Sequence, residues 1–348
     1  MQEFGLDDGE KTIRAVHGDP DPSKRTVFVP VKNEMGFLPA FLAHYRAIGF
    51  EQFLVYDDKS DDGTTEYLIA QPDCVVVHTN LDFGDELFAD IAGKRKRMRF
   101  GTYAKIALPQ HFFDDSFVAY FDADEFLLLP PGVSSIVPVI ERLTRQGASS
   151  LLTSVVEFFP ETLAGLEGPL PQSLEGLLAA YPYFQAEAVV DPDEDVALHG
   201  KRTFPNPSKT MRLFESFDVH PRIERRGFER IYMSRRKKES QMFQRSARHK
   251  TPLVLRNADS FATSCHDAHP APPSDVLLTI AHFVFTSQFA QKIDNARKWR
   301  AHAGGAAKYR YYAELLDKMQ AKGGSFLDAR SQRYTGPEQL IQAGLMRW

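Results

Sequence analysis

The stretch Phe117-Val118-Ala119-Tyr120-Phe121-Asp122-Ala123-Asp124-Glu125-Phe126 sets an apolar, aromatic run directly against two carboxylates two positions apart. The run has the length and residue types of a buried strand, so the carboxylates fall at its carboxyl end. Charge beside a buried strand is costly unless something compensates it. Hard divalent cations such as Mn²⁺ or Mg²⁺ take carboxylate oxygens and substrate phosphates together, which suits this loop to a metal-bound diphosphate with Asp122 and Asp124 as ligands. Asp-x-Asp alone is a weak signal, because short acidic turns are common. Its place behind a strand and ahead of Glu125-Phe126 gives it weight.

Upstream, Thr26 to Val31 reads TVFVPV, a β-branched run with the exit loop Lys32-Asn33-Glu34. Leu38, Leu42, Tyr45 and Gly49, flanked by Phe37, Phe41 and Ile48, then have the spacing of an apolar helix face, with Pro39 in the first turn. Phe53 to Tyr56 is a second strand, closed by the turn-forming cluster Asp57 to Thr64, and Cys74 to Thr79 is a third. The Ala-, Lys- and Arg-containing stretch from Glu86 to His111 reads as a long helix kinked near Gly101. Strands alternating with helices predict an α/β fold with a mostly parallel sheet flanked by helices. In such sheets ligands sit beyond the carboxyl ends of the strands, where the loops at Lys32, Asp57 and Asp122 converge. Asp57, Asp58 and Glu34 are therefore candidates to bind a nucleotide.

Downstream, Ser134 to Gly147 reads as a helix and Ser150 to Phe159 as a strand, after which the alternation weakens. Residues 160–275 hold an acidic run from Glu187 to Asp195 and a basic one from Arg222 to Lys250. The basic run reads either as a loop that closes over a diphosphate or meets an anionic acceptor, or as an exposed helix. Val276 to Phe285 is strand-like, and helices are expected over Gln288 to His302, Lys308 to Gln320 and Pro337 to Gly344.

A net charge of -4 argues against general attraction to nucleic acid. Cys74 and Cys265 lack the Cys-x-x-Cys spacing of zinc or redox sites. The first 24 residues lack the basic start and apolar run of a signal peptide, and no apolar run approaches the roughly 20 residues of a spanning helix, so a cytoplasmic protein is expected.

Lys32-Asn33-Glu34, the helix end Ala43-His44-Tyr45-Arg46-Ala47-Ile48-Gly49, the segment Phe53 to Thr64 and Phe121-Asp122-Ala123-Asp124-Glu125-Phe126-Leu127 resemble, in order and spacing, the family 2 glycosyltransferases, particularly the branch related to family 92. The resemblance implies a GT-A fold with a C-terminal acceptor-side extension, and an inverting transfer from a nucleotide-diphosphate sugar, uridine favoured, to a glycan or lipid-linked acceptor, as in polysaccharide biosynthesis. Such an acceptor would bring the protein to the inner face of the membrane. It also implies Mn²⁺ or Mg²⁺ at Asp122 and Asp124, with Asp57 or Asp58 near the nucleotide. Ile280-Ala281-His282-Phe283, followed by a helix with Phe289 and Lys292, is similar to the family's C-terminal histidine segment, making His282 a third metal ligand. A lone histidine on an apolar strand is otherwise more often a core residue. Residues 1–25 then form a polar N-terminal segment, 26–160 the nucleotide-sugar-binding half, 161–302 the acceptor-side half and 303–348 the C-terminal helices.

Where relatives carry a glutamine before the metal motif, this chain is basic, with Lys94, Arg95, Lys96, Arg97 and Arg99; Arg99 is placed to meet the nucleotide or diphosphate. An inverting displacement needs a carboxylate base, for which Glu157 and Asp267 are candidates. His266 and His269 have the spacing of a metal pair, but lie beside a proline-rich loop. Two other readings compete. An aspartate-nucleophile phosphotransferase using Asp122 would carry Thr or Val two residues after the second Asp, where Phe126 stands. A non-catalytic carbohydrate-binding relative would lose the metal carboxylates, and both are present.

Overall fold

The computed structural model describes residues 2–4, 13–91, 93–193, 202–204, 206–220, 247–299 and 303–348. Two short strands, β1 (Gln2–Phe4) and β2 (Ile13–His17), precede β3 (Thr26–Val31), all six of whose residues are buried. Helix α1 (Leu38–Ala47) carries Pro39 in its first turn and buries Leu38, Phe41, Leu42 and Tyr45, the i, i+3, i+4, i+7 stripe of a core-facing helix. Strand β4 (Gln52–Asp57), helix α2 (Thr64–Ile69) and strand β5 (Cys74–Thr79) complete a βαβαβ unit, with β3 parallel to β4 and β4 parallel to β5.

The stretch expected as one long helix is instead a hairpin, β6 (Glu86–Ile91) and β7 (Lys94–Arg99), and only then helix α3 (Phe100–Phe112). Leu87, Ala89 and Ile91 are buried while Glu86 and Asp90 are exposed, the period-two alternation of a strand. Gly93, at φ +70°, takes the left-handed conformation at the turn. Strand β1 joins this hairpin, parallel to β6.

Strand β8 (Ser116–Tyr120) returns to lie parallel to β3. There follow β9 (Glu125–Leu128), α4 (Val137–Arg145), β10 (Leu152–Glu157), α5 (Leu174–Ala180), β11 (Tyr183–Gln185), α6 (Lys209–Ser216) and β12 (His249–Lys250). Next come β13 (Leu253–Arg256), the pair β14 (Phe261–Ala262) and β15 (Ala268–His269), β16 (Leu277–His282), α7 (Phe289–Trp299), α8 (Ala303–Lys322), β17 (Ser331–Arg333) and α9 (Pro337–Gln342).

The central sheet has the order β13-β8-β3-β4-β5-β2, with four parallel inner strands and an antiparallel strand at each edge. Its two faces follow from strand alternation. Val27, Val29, Phe53 and Val55 pack on the α1 side, and Phe28, Leu54 and Tyr56 face Phe100, Tyr103 and Ala107 of α3. A second sheet, β12-β10-β16-β9, pairs β10 and β16 in parallel. The core on the α1 side continues into it through Phe126, Leu152 and Ile280. A third apolar cluster joins Phe285 and Phe289 to Tyr312 and Leu315 of α8. Among the described residues, no helix is long and apolar enough to cross a membrane.

Candidate functional site

The exits of β3 and β4 are laced together. Asn33, at φ +57°, donates from its side chain to Asp61 (2.5 Å) and accepts from the Asp61 N–H (2.8 Å), while its own N–H donates to Ser60 Oγ (2.9 Å). Asparagine tolerates this left-handed backbone better than most side chains. Lys32 Nζ donates to the Asp58 carbonyl (2.6 Å) and carboxylate (3.2 Å). Asp57 accepts from the N–H and hydroxyl of Ser60 (3.0 and 2.6 Å) and from the Thr65 hydroxyl, closing the turn before α2. Asp58 is buried and also accepts from the Phe83 N–H (3.2 Å); burial raises its carboxyl's proton affinity. Asp57 and Asp58 thus brace the loops from behind.

In front of them a cavity of about 380 Å³ opens at the carboxyl ends of β3, β8 and β16. Its wall brings together Glu34, Arg99, Asp122, Asp124 and His282, five of the nine candidate site residues. Asp57, Asp58, Glu157 and Asp267 do not line it. Glu157 accepts from the Thr210 hydroxyl (2.8 Å), and Asp267 accepts from Ser264 (3.2 Å). His266 turns a ring nitrogen to the His249 carbonyl (2.7 Å) and His269 packs on the Phe261 ring. Both cysteines are free thiols.

The backbone sets the relation of His282 to the acidic loop. Strands β16 and β9 pair antiparallel with His282 opposite Glu125, and the Phe283 N–H donates to the Asp124 carbonyl (3.0 Å). His282 Nε2 consequently stands 3.7 Å from Asp124 Oδ1.

Three lysines meet the two aspartates. Asp122 Oδ1 accepts from Lys105 Nζ (3.0 Å) and the Tyr120 hydroxyl (2.8 Å), and Oδ2 accepts from Lys250 Nζ (2.9 Å). Burial opposes ionisation of Asp122, but Lys105 and Lys250 outweigh it and hold its carboxyl well below the usual range. Asp124 Oδ2 accepts from Lys292 Nζ (2.8 Å); there too burial opposes ionisation, and Lys292 and His282 overcome it. Lys250, only 6% exposed in its side chain, also donates to Glu125 Oε2 (2.5 Å). Glu34 Oε1 lies 3.4 Å from Lys292 Nζ. Burial raises the proton affinity of Glu34, Lys292 works against the rise and Asp124 adds to it, leaving this carboxyl above its ordinary range.

Of the three candidate metal ligands, Asp124 and His282 are close enough to share an ion, although Asp124 Oδ2 is also held by Lys292 at 2.8 Å. Ligands about 2.1 Å from a shared ion stand roughly 3 to 4 Å apart, which the Asp124–His282 separation matches. Asp122 differs, because both of its oxygens face ammonium groups. Among the described residues, no group of three or more His, Cys, Asp or Glu side chains stands together as a metal centre.

Sequence reasoning missed Lys105, Lys250 and Lys292 as site groups. Lys105 carried a usable signal, being the lone charge in the apolar helix segment Tyr103-Ala104-Lys105-Ile106-Ala107-Leu108. Lys292 lay in the segment resembling the family's C-terminal histidine segment and Lys250 ended the basic run from Arg222, but neither was singled out as a partner of the aspartates. The basic residues at 222–246 lie outside the described residues. Comparison with protein-family models and with curated proteins yields no match.

Proposed function

We propose that the protein is a glycosyltransferase of the GT-A type, resembling family 2, which moves a sugar from a nucleotide-diphosphate donor, uridine favoured, to a glycan or lipid-linked acceptor on the cytoplasmic side. The observation that carries this reading is the placement of the Asp-x-Asp loop, Glu34, His282 and Arg99 around one cavity at the carboxyl ends of parallel strands. A divalent cation, Mn²⁺ or Mg²⁺, held by Asp124 and His282 would stabilise charge on the leaving diphosphate.

In the transfer, the acceptor oxygen forms its bond to the anomeric carbon as the bond from that carbon to the phosphate oxygen breaks; the electron pair leaves with the diphosphate. The acceptor's proton goes to a carboxylate. Glu34 takes this role in place of Glu157 and Asp267, because it alone of the three lines the cavity and its proton affinity is raised. An aspartyl-phosphate mechanism is disfavoured by the engagement of both Asp122 oxygens.

The test is release of nucleoside diphosphate from a panel of uridine- and guanosine-diphosphate sugars in Mn²⁺. The wild type should release one of the two diphosphates and Asp124→Asn should not. Absence of release from every donor, with and without acceptor glycans, contradicts the assignment.

A further inference from the structure

We propose that the phosphate-binding groups of this cavity are the ammonium groups of Lys105 and Lys292, braced by Asp122 and Asp124, and that a diphosphate binds there without a divalent cation. The inference rests on the reading of the cavity as a nucleotide-diphosphate site, and deepens it.

The charges around the cavity point this way. Lys32, Arg99, Lys105 and Lys292 line it with Glu34, Asp122 and Asp124, and Lys32 is itself paired with the buried Asp58 at 3.2 Å, so the carboxylates of the wall are matched by cations before any metal is added. Behind Asp122, Lys250 Nζ stands 2.9 Å from its carboxylate and is shared with the buried Glu125 at 2.5 Å. Asp122 therefore repels an incoming phosphate far less than a bare carboxylate would.

The geometry agrees. An ammonium group has three N–H donors. Lys105 gives one to Asp122 Oδ1, and its side chain keeps 23% exposure at the cavity wall. Lys292 is exposed to the same extent and faces Asp124 and Glu34. Each ammonium group also lies over an aromatic ring, Lys105 Nζ 5.0 Å from the Tyr120 centroid and Lys292 Nζ 4.7 Å from the Phe37 centroid. These ammonium groups are held in position before a ligand arrives, which reduces the ordering cost of binding. Lys250, nearly inaccessible between Asp122 and Glu125, neutralises Asp122 without reaching the cavity wall. A cation at Asp124 and His282 adds affinity to this arrangement and is not a condition for it.

The experiment is calorimetric titration of inorganic diphosphate into the wild type, Lys105→Gln and Lys105→Arg, in excess EDTA and again in Mn²⁺, with thermal melting to confirm folding. Wild type is expected to bind in EDTA, Lys105→Gln to bind tenfold or more weakly, about the worth of one charge-assisted hydrogen bond, and Lys105→Arg to retain most of the affinity. Wild-type binding that appears only with Mn²⁺ overturns the inference while leaving the donor-site reading standing. Binding in EDTA that is unchanged in Lys105→Gln overturns the assignment to Lys105. Absence of binding in both buffers defeats the inference and the donor-site reading together. Should Lys105→Gln not fold, the wild-type comparison between the two buffers still decides whether a cation is required.

Discussion

Tyr45 ties helix α1 to the acidic loop: its buried hydroxyl donates to the Glu125 carbonyl (3.0 Å) and accepts from the Leu127 N–H (3.2 Å). Tyr45→Phe leaves that N–H unpaired in an apolar setting, and a loss of about 1–3 kcal/mol is expected, read as a lower denaturation midpoint. Its neighbour His44 donates from Nε2 to the Leu127 carbonyl (3.0 Å), and burial pushes its pKa down to about 4 from an ordinary 6.5. Between those values the unfolded chain binds a proton that the folded chain does not, so stability rises with pH across that window and is lost on acidification. The contribution lost between pH 7 and pH 5 is about 2 kcal/mol. Urea denaturation at the two pH values should show this loss in the wild type and a correspondingly smaller one in His44→Gln. For Glu34→Gln, transfer should fall by about 10²–10⁴ while binding of the nucleoside diphosphate persists, as a base rather than a binding group requires. Asp122, Asp124 and Glu34 were legible as candidates because a carboxylate at the carboxyl end of a strand calls for explanation, whereas His282 was legible only through the resemblance of its segment, since a histidine in an apolar strand is by itself more often a core residue. The lysines were not, since a lysine's default place is solvent and only three-dimensional proximity shows Lys250 and Lys292 beside the aspartates.

At the scale of elements, the hairpin β6–β7 and helix α3 form the wall that carries Arg99 and Lys105. The junction depends on Gly101, where an added Cβ would stand 2.9 Å from Phe83 Cδ1 and 3.2 Å from the Phe83 carbonyl oxygen. Phe83 lines the cavity and packs edge-on against Tyr56. Gly101→Ala should therefore weaken nucleoside-diphosphate binding several-fold through a displaced Phe83, with the far-ultraviolet circular dichroism unchanged; equal affinity in titration would refute this. The hairpin was misread because Lys, Arg, Met and Ala are good helix formers, and the shorter period of Leu87, Ala89 and Ile91 was outweighed by composition. The βαβαβ unit from Thr26 to Thr79 was legible because its pairings are local and its strands are buried on both faces.

In the whole molecule, the two sheets share one core, and the segment 337–348 closes it. Leu340, Leu345 and Met346 are buried, Thr279 donates to the Leu345 carbonyl (2.8 Å), and Arg347 exchanges backbone hydrogen bonds with Leu277 of β16. Burying these three side chains contributes roughly 5 kcal/mol, comparable to the whole stability of many domains. Deletion of 337–348 should therefore lower the melting temperature by 10 °C or about that, or prevent folding; a melt like that of the intact chain would contradict the shared core. This architecture was hidden in the sequence because β10 pairs with β12 and β16 across long separations, which no local pattern encodes.

All these scales meet in one claim, that the cavity at Asp122 and Asp124 receives a nucleoside diphosphate. The most direct measurement is calorimetric titration of uridine and guanosine diphosphates, with and without Mn²⁺, into the wild type and Asp124→Ala. The account predicts that one nucleotide binds, more tightly with Mn²⁺, and that Asp124→Ala loses the Mn²⁺ enhancement; failure of both nucleotides to bind the wild type under either condition would contradict it.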